Sequence, residues 1–174
     1  LGEPTLRSID EVPDGAADLV FVCTPSKANL ALLEAAAAKG VRAAVVASGG
    51  YAEAGEGGRE LQEELVARAE QLGMVLIGPN GQGVISTPDA MCAQITAPFP
   101  PRGRIGVASQ SGNLVSAYLN YAVQTGVGVS KAVSLGVSSG LMIILGYPGE
   151  LIIEGDLSLR WKYWAAAMVP FLYV

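Results

Sequence analysis

The residues best suited to chemistry are small, polar and grouped at abrupt breaks in apolar runs. Ser109-Gln110-Ser111-Gly112-Asn113 lies between the strand-like run Arg104-Ile105-Gly106-Val107-Ala108 and a helical pattern from about Asn113 to Gln124. Main-chain N–H groups of Ser111, Gly112 and Asn113 at such a helix start can face an anion, assisted by the helix dipole, which is equivalent to about half a positive charge. The result is a phosphate cradle without a lysine; the bland alternative is a serine N-cap with no ligand. Three further turns share this small, polar character: Thr24-Pro25-Ser26, Ser48-Gly49-Gly50 and Gly78-Pro79-Asn80-Gly81. They let a ligand approach the main chain and offer neutral hydrogen bonds to a nucleotide or a pantetheine amide, although βα turns are often small and polar without any ligand.

What is missing restricts the chemistry as firmly. The 174 residues contain no histidine. A Ser/His or Cys/His nucleophile pair, a His-containing zinc site and a phosphohistidine therefore cannot come from this chain. No Gly-x-x-x-x-Gly-Lys occurs, which excludes a Walker loop, and the Ser109-Gln110-Ser111-Gly112-Asn113 turn does not have the Gly-x-Ser-x-Gly pattern of a nucleophile elbow. Gly81-Gln82-Gly83 and Gly126-Val127-Gly128 lack the rest of a dinucleotide fingerprint and read as turn glycines. Glu53, Glu56, Glu60, Glu63 and Glu64 read as a solvated helix face. A net charge of −5 disfavours nucleic acid and anionic lipid as partners. The two cysteines, Cys23 and Cys92, are too few for a disulfide framework and fit a reduced, cytoplasmic setting, with Cys23 expected in the core. No stretch before residue 140 is apolar for long enough to span a membrane, and the first residues given lack the basic-then-apolar order of a signal peptide.

The elements that must position these turns follow from periodicity. Asp18 to Cys23 is an almost continuous apolar run, as in a strand covered on both faces. Lys27 to Lys39 places Leu30, Leu33 and Ala37 on one helical face. A second strand over Val41 to Ala47 precedes a helix from about Gly58 to Leu72, on which Leu61, Leu65, Ala69 and Leu72 recur at helical spacing. Met74 to Ile77 is a third strand. Alternation of this kind predicts a doubly wound α/β domain with its ligand edge at the carboxyl ends of the strands. Residues 98–103 (Pro-Phe-Pro-Pro-Arg-Gly) read as a linker, and residues 104–136 as the opening βαβ of a second α/β domain, with its second strand over Val129 to Leu135. Residues 137–174 hold six of the eleven aromatics and follow no α/β alternation; an additional core segment and an out-of-frame ending are both open.

Taken together and in order, Asp18 to Ser26, Ala44 to Gly55, Gly78-Pro79-Asn80, Val107 to Gly112 and Val133-Ser134-Leu135-Gly136 resemble the NDP-forming acyl-CoA synthetases. These include ADP-forming acetate–CoA ligase and, more distantly, the α subunit of succinyl-CoA synthetase. The resemblance implies an incomplete Rossmann-like CoA-binding domain over residues 1–97, then the start of a flavodoxin-like succinyl-CoA-synthetase domain. It implies that Thr24, Pro25, Ser26, Ser48, Gly49 and Gly50 line a CoA site, that Asn80 borders its reacting end, and that Ser111 and Gly112 hold phosphate, with Asn113 beside them. The implied reaction interconverts acyl-CoA, ADP and phosphate with acid, CoA and ATP through acyl-phosphate and phosphohistidine. The histidine belongs downstream of Gly136, and Mg-bound ADP or ATP belongs to an ATP-grasp domain or β subunit outside this chain, in an oligomeric enzyme. The departures are specific. Gly81 stands where the family usually has cysteine, Ser116 stands where succinyl-CoA synthetase has tyrosine, and the chain starts at Leu1 without the glycine-rich first βα turn. These departures make a fragment inactive alone the leading expectation. The alternative is a non-catalytic CoA-binding or regulatory module, like the CoA-synthetase-like half of some protein acetyltransferases.

Overall fold

A computed structural model describes residues 5–95 and 97–136. The first two βα units and the third strand form where the apolar runs place them. Strands β1 (Leu19–Val22), β2 (Ala43–Val46) and β3 (Val75–Ile77) make a parallel sheet in that order, with Leu19 opposite Ala43 and Ala43 opposite Val75. Helix α1 (Ser26–Ala38) connects β1 to β2, and α2 (Glu56–Gln71) lies between β2 and β3. Val22, Val46 and Leu76 from the sheet pack with Leu33 and Ala36 of α1 and Leu65 and Ala69 of α2 in one buried cluster. None of the strand residues is exposed, which is why these strands read as unbroken apolar stretches.

The buried face of α1 differs from the expected one. Asn29, Leu33 and Ala36 are buried, whereas Leu30 and Ala37 are only partly so. The stripe is rotated by about one residue, and it brings an amide into the interior. Cys23 is exposed rather than in the core, because β1 ends at Val22 and the chain turns out of the sheet there.

A second sheet has the order β5-β4-β7-β6. Strands β4 (Gly83–Ser86) and β5 (Met91–Gln94) form an antiparallel hairpin, and β4 also pairs antiparallel with β7 (Val129–Ser134). Parallel to β7 runs β6 (Arg102–Ser109), connected to it by α3 (Gly112–Thr125). Val115, Leu119 and Ala122 of α3 bury against Ile85, Val129 and Ala132. Strands from both sides of the proline-rich segment therefore share one sheet, and β6 begins at Arg102, within the span read as linker. The hairpin was not expected, because β4 takes its place by pairing with β7 far along the chain, which no local pattern announces. The aromatic-rich residues 137–174 lie outside the described residues. No helix among the described residues is long and apolar enough to cross a membrane.

Candidate functional site

At the carboxyl edge of the first sheet the turns after β1 and β2 are joined through Asn29, which is fully buried. With its amide oriented as the surrounding carbonyls require, Nδ2 donates to Thr24 Oγ1 at 2.6 Å and to the Thr24 and Pro25 carbonyls at 3.2 Å. Its Oδ1 accepts from Ser48 Oγ at 2.8 Å and from Tyr51 OH at 2.6 Å. Every polar atom of the hub then has a partner, as burial demands. Burial raises the pKa of the Tyr51 phenol, and the Glu53 carboxylate adds to that rise.

The second turn also has a built backbone. Gly50 has φ +95°, and a Cβ there would lie 2.9 Å from Ser26 Oγ, so the first two turns touch at a position fitted for glycine. The Glu53 carboxylate accepts from Gly50 N–H at 2.5 Å and from Tyr51 N–H at 3.2 Å. Partial burial pushes its pKa up, but the N–H groups of Glu53, Tyr51 and Gly50 outweigh this and hold it below the ordinary value. Glu53 is therefore a brace of the Ser48-Gly49-Gly50 turn, not part of a solvated helix face.

The third turn docks onto the second. Asn80 N–H donates to Ser48 carbonyl at 3.1 Å and Gly81 N–H to Val46 carbonyl at 3.4 Å. Asn80 itself has φ +57°, and its Oδ1 lies 3.5 Å from where a Gly49 Cβ would be. A Cβ at Gly78, with φ +99°, would meet the Val46 carbonyl at 2.4 Å. Thr24, Pro25, Ser26, Ser48, Gly49, Gly50 and Asn80 thus come together on one edge.

The fourth turn begins α3. Ser111 is its N-cap: Oγ accepts from Leu114 N–H at 3.3 Å, while the Ser111 N–H donates to Ser109 Oγ at 3.1 Å. That leaves the first-turn N–H groups of Gly112 and Asn113, which have no intrahelical acceptor, as the donors that can face an anion. The two halves of the site are contiguous. A Cβ at Gly136 would lie 2.1 Å from the Pro79 carbonyl, and one at Gly112 would lie 2.4 Å from Gln82 Cδ. Ser116, at the position compared with tyrosine, donates from Oγ to Gln82 Oε1.

Sequence reasoning missed Asn29, Tyr51 and Gln82 as parts of this architecture. For Asn29 a signal existed, an amide in register with Leu33 and Ala36 on the buried stripe; Gln82 between two glycines carried none. Among the described residues no group of three or more His, Cys, Asp or Glu side chains is placed to hold a metal ion.

Residues 1–87 match the CoA binding domain family, and residues 102–143 match the succinyl-CoA ligase like flavodoxin domain. The chain belongs to the NDP-forming acyl-CoA synthetase family. It is 42% identical over 136 residues to ADP-forming acetate–CoA ligase I of Archaeoglobus fulgidus, covering 78% of this chain and 20% of that protein. It is 34% identical to the α subunit of ADP-forming acetate–CoA ligase I of Pyrococcus furiosus, covering 75% of this chain and 28% of that one. Among solved structures it is similar to the dinucleotide-forming acetyl-coenzyme A synthetase 1 of Ca. Korarchaeum cryptofilum in complex with phosphate and ADP. That likeness has a TM-score of 0.72 and 28% identity, over 98% of this chain and 38% of that chain. The chain thus spans between a fifth and two fifths of these relatives' lengths. Family membership accounts for the parallel sheet followed by the β6-α3-β7 unit.

Proposed function

We propose that this chain supplies the CoA-binding edge and the phosphate-holding helix start of an ADP-forming acid–CoA ligase. The enzyme class interconverts acyl-CoA, ADP and phosphate with acid, CoA and ATP through acyl-phosphate and phosphohistidine. The observation that carries the proposal is the meeting of the three small-residue turns of β1–β3 with the first turn of α3 along a single continuous edge. CoA lies along Thr24-Pro25-Ser26 and Ser48-Gly49-Gly50, whose close approach to one another leaves main chain rather than bulky side chains to meet the pantetheine arm. Its reacting end lies at Asn80. Gly112 and Asn113 N–H groups hold phosphate at the positive end of α3, with Ser111 holding that turn in shape. An acyl-phosphate bound there faces the CoA end across Asn80 and Gln82, which is the geometry acyl transfer to a thiol needs.

The phosphorylated histidine comes from outside these 174 residues, which contain none. Mg-bound ADP or ATP belongs to a partner ATP-grasp domain or β subunit in a cytoplasmic, oligomeric enzyme. The chain alone should bind CoA and inorganic phosphate and should release no ADP in the presence of acid, CoA and ATP. Calorimetric titration of the full chain with each ligand tests the first claim, and failure of CoA to bind a folded sample at millimolar concentration would overturn it. A steady-state ADP-release assay tests the second, which turnover by the chain alone would refute.

A further inference from the structure

Gln82 follows directly on the Asn80-Gly81 turn of the CoA edge, is fixed through its main chain to the second sheet, and reaches α3 with its side chain. Its N–H donates to Ser134 Oγ at 3.1 Å, and its carbonyl accepts the Ile95 N–H at 3.0 Å. Its side chain crosses to α3. Oε1 accepts from Ser116 Oγ, Nε2 donates to Asn113 Oδ1 at 3.4 Å, and the Cγ and Cδ atoms lie 2.4 Å from where a Gly112 Cβ would be. A single side chain therefore rests on Gly112, the residue whose N–H is aimed at the anion, and engages its neighbours one and four positions on.

The segment that presents Gln82 is itself held by the CoA edge. Asn80 and Gly81, immediately before it, donate to the carbonyls of Ser48 and Val46. A Cβ at Gly81 would lie 2.7 Å from the Ser134 carbonyl, so the chain is pinned closely between the two sheets. A ligand that orders Ser48-Gly49-Gly50 also orders Asn80-Gly81, and with them Gln82.

We infer that Gln82 is a positioning residue that fixes the Gly112 and Asn113 donors relative to the Asn80 turn and so couples CoA binding to phosphate binding. The inference rests on the reading of those donors as the phosphate site. Coupling of this kind is reciprocal: CoA must raise the affinity for phosphate by the same factor as phosphate raises the affinity for CoA.

The experiment is a phosphorus NMR titration of the full chain with inorganic phosphate, with and without saturating CoA, in the wild type and in Gln82→Met. Methionine keeps the length and the packing on Gly112 and loses both side-chain hydrogen bonds. In the wild type, CoA should tighten phosphate binding severalfold. In Gln82→Met, phosphate alone should bind about fivefold more weakly, the factor that one lost hydrogen bond of ordinary net strength corresponds to. The gain from CoA should vanish, while CoA affinity measured without phosphate stays within twofold. Ser116→Ala, which removes only the hydroxyl that orients the amide, should shift phosphate affinity in the same direction and keep the fold should the methionine variant lose it. A non-additive double mutant would confirm that the two act together. Wild-type protein that binds neither ligand would overturn the underlying site assignment. Wild-type protein that binds both without coupling, or a Gln82→Met variant that keeps coupling and phosphate affinity within twofold, would overturn the role of Gln82 and leave the site assignment standing.

Discussion

Replacing Asn29 by alanine should be among the most damaging single changes in the first sheet, although the residue touches no ligand in the proposed site. Asn29 is fully buried and links Thr24, Ser48 and Tyr51. Truncation leaves the Tyr51 hydroxyl, in a residue only 1% exposed, without an acceptor. An unsatisfied buried hydroxyl costs about 1–3 kcal/mol. Thr24 and Ser48 are half-buried and can recruit water, so their lost bonds add at most about 1 kcal/mol together. Alanine's better helix propensity offsets roughly 0.7 kcal/mol of this within α1. The net expectation is a loss of about 2 kcal/mol, within a range of about 0.5–3 kcal/mol, a large share of an ordinary domain's stability. In urea, with a slope of about 2 kcal/mol/M, the midpoint should fall by about 1 M with the slope unchanged. Because the hub joins the first two turns, CoA affinity should fall as well in protein that is still folded. Tyr51→Phe removes the orphaned group, so adding Asn29→Ala to it should cost at least 1 kcal/mol less than Asn29→Ala alone. A loss below about 0.5 kcal/mol, or strict additivity of the two changes, would refute the account of the hub.

Two other perturbations test the same edge. The Glu53 pKa is held below its ordinary value in the folded state, so its contribution to stability is present above the unfolded glutamate pKa and is lost as the pH falls through the lower folded one. The stability difference between wild type and Glu53→Gln, followed by urea titration from pH 7 downward, should therefore shrink below about pH 4.5; a difference that is constant with pH contradicts the brace. Gly112→Ala should weaken phosphate binding because its Cβ would fall 2.4 Å from Gln82 Cγ and Cδ, and Gln82→Ala should relieve the stability loss in the double variant. Denaturation midpoints of the three variants check this, and a double variant no more stable than Gly112→Ala would count against the contact.

What could be read from the sequence divides along the range of the interactions. β1, β2, β3, α1, α2, α3, β6 and β7 all lie within two residues of their expected bounds, because each is announced by its own local pattern. The β4–β5 hairpin is not, since what stabilises it lies far off in the chain. Ile85 pairs with Ala132 of β7, and Thr87 Oγ1 donates to the Val129 carbonyl at 2.6 Å. The candidate site shows the same division. Its turns were legible because small polar residues interrupt apolar runs at the ligand edge of a parallel sheet. The groups that lock those turns together were not. Tyr51 reads as one more apolar residue until Asn29, 22 positions earlier, is seen to face it. Gln82 acquires a role only through residues 31 and 34 positions later.

The absent histidine takes on a narrower meaning when set against this geometry. The site is rich in groups that hold and poor in groups that react. Ser111 Oγ caps α3 and Ser109 Oγ accepts from the Ser111 N–H, so both hydroxyls of the loop are engaged in shaping the helix start. Neither has an imidazole to activate it, for the sequence contains none. A helix N-terminus stabilises a phosphoryl group without attacking it, and an activated nucleophile needs a base within hydrogen-bond reach. The consequence is a division of labour. On the proposed reading this chain fixes where phosphate and CoA meet, and the group that accepts the phosphoryl is delivered to the first turn of α3. Main chain leaves β7 after Ser134 and at Gly136 lies against the carbonyls of Pro79 and Asn80, beside the junction of the two half-sites. Close packing at Gly136 therefore helps to hold the Pro79-Asn80 turn in register with the end of β7.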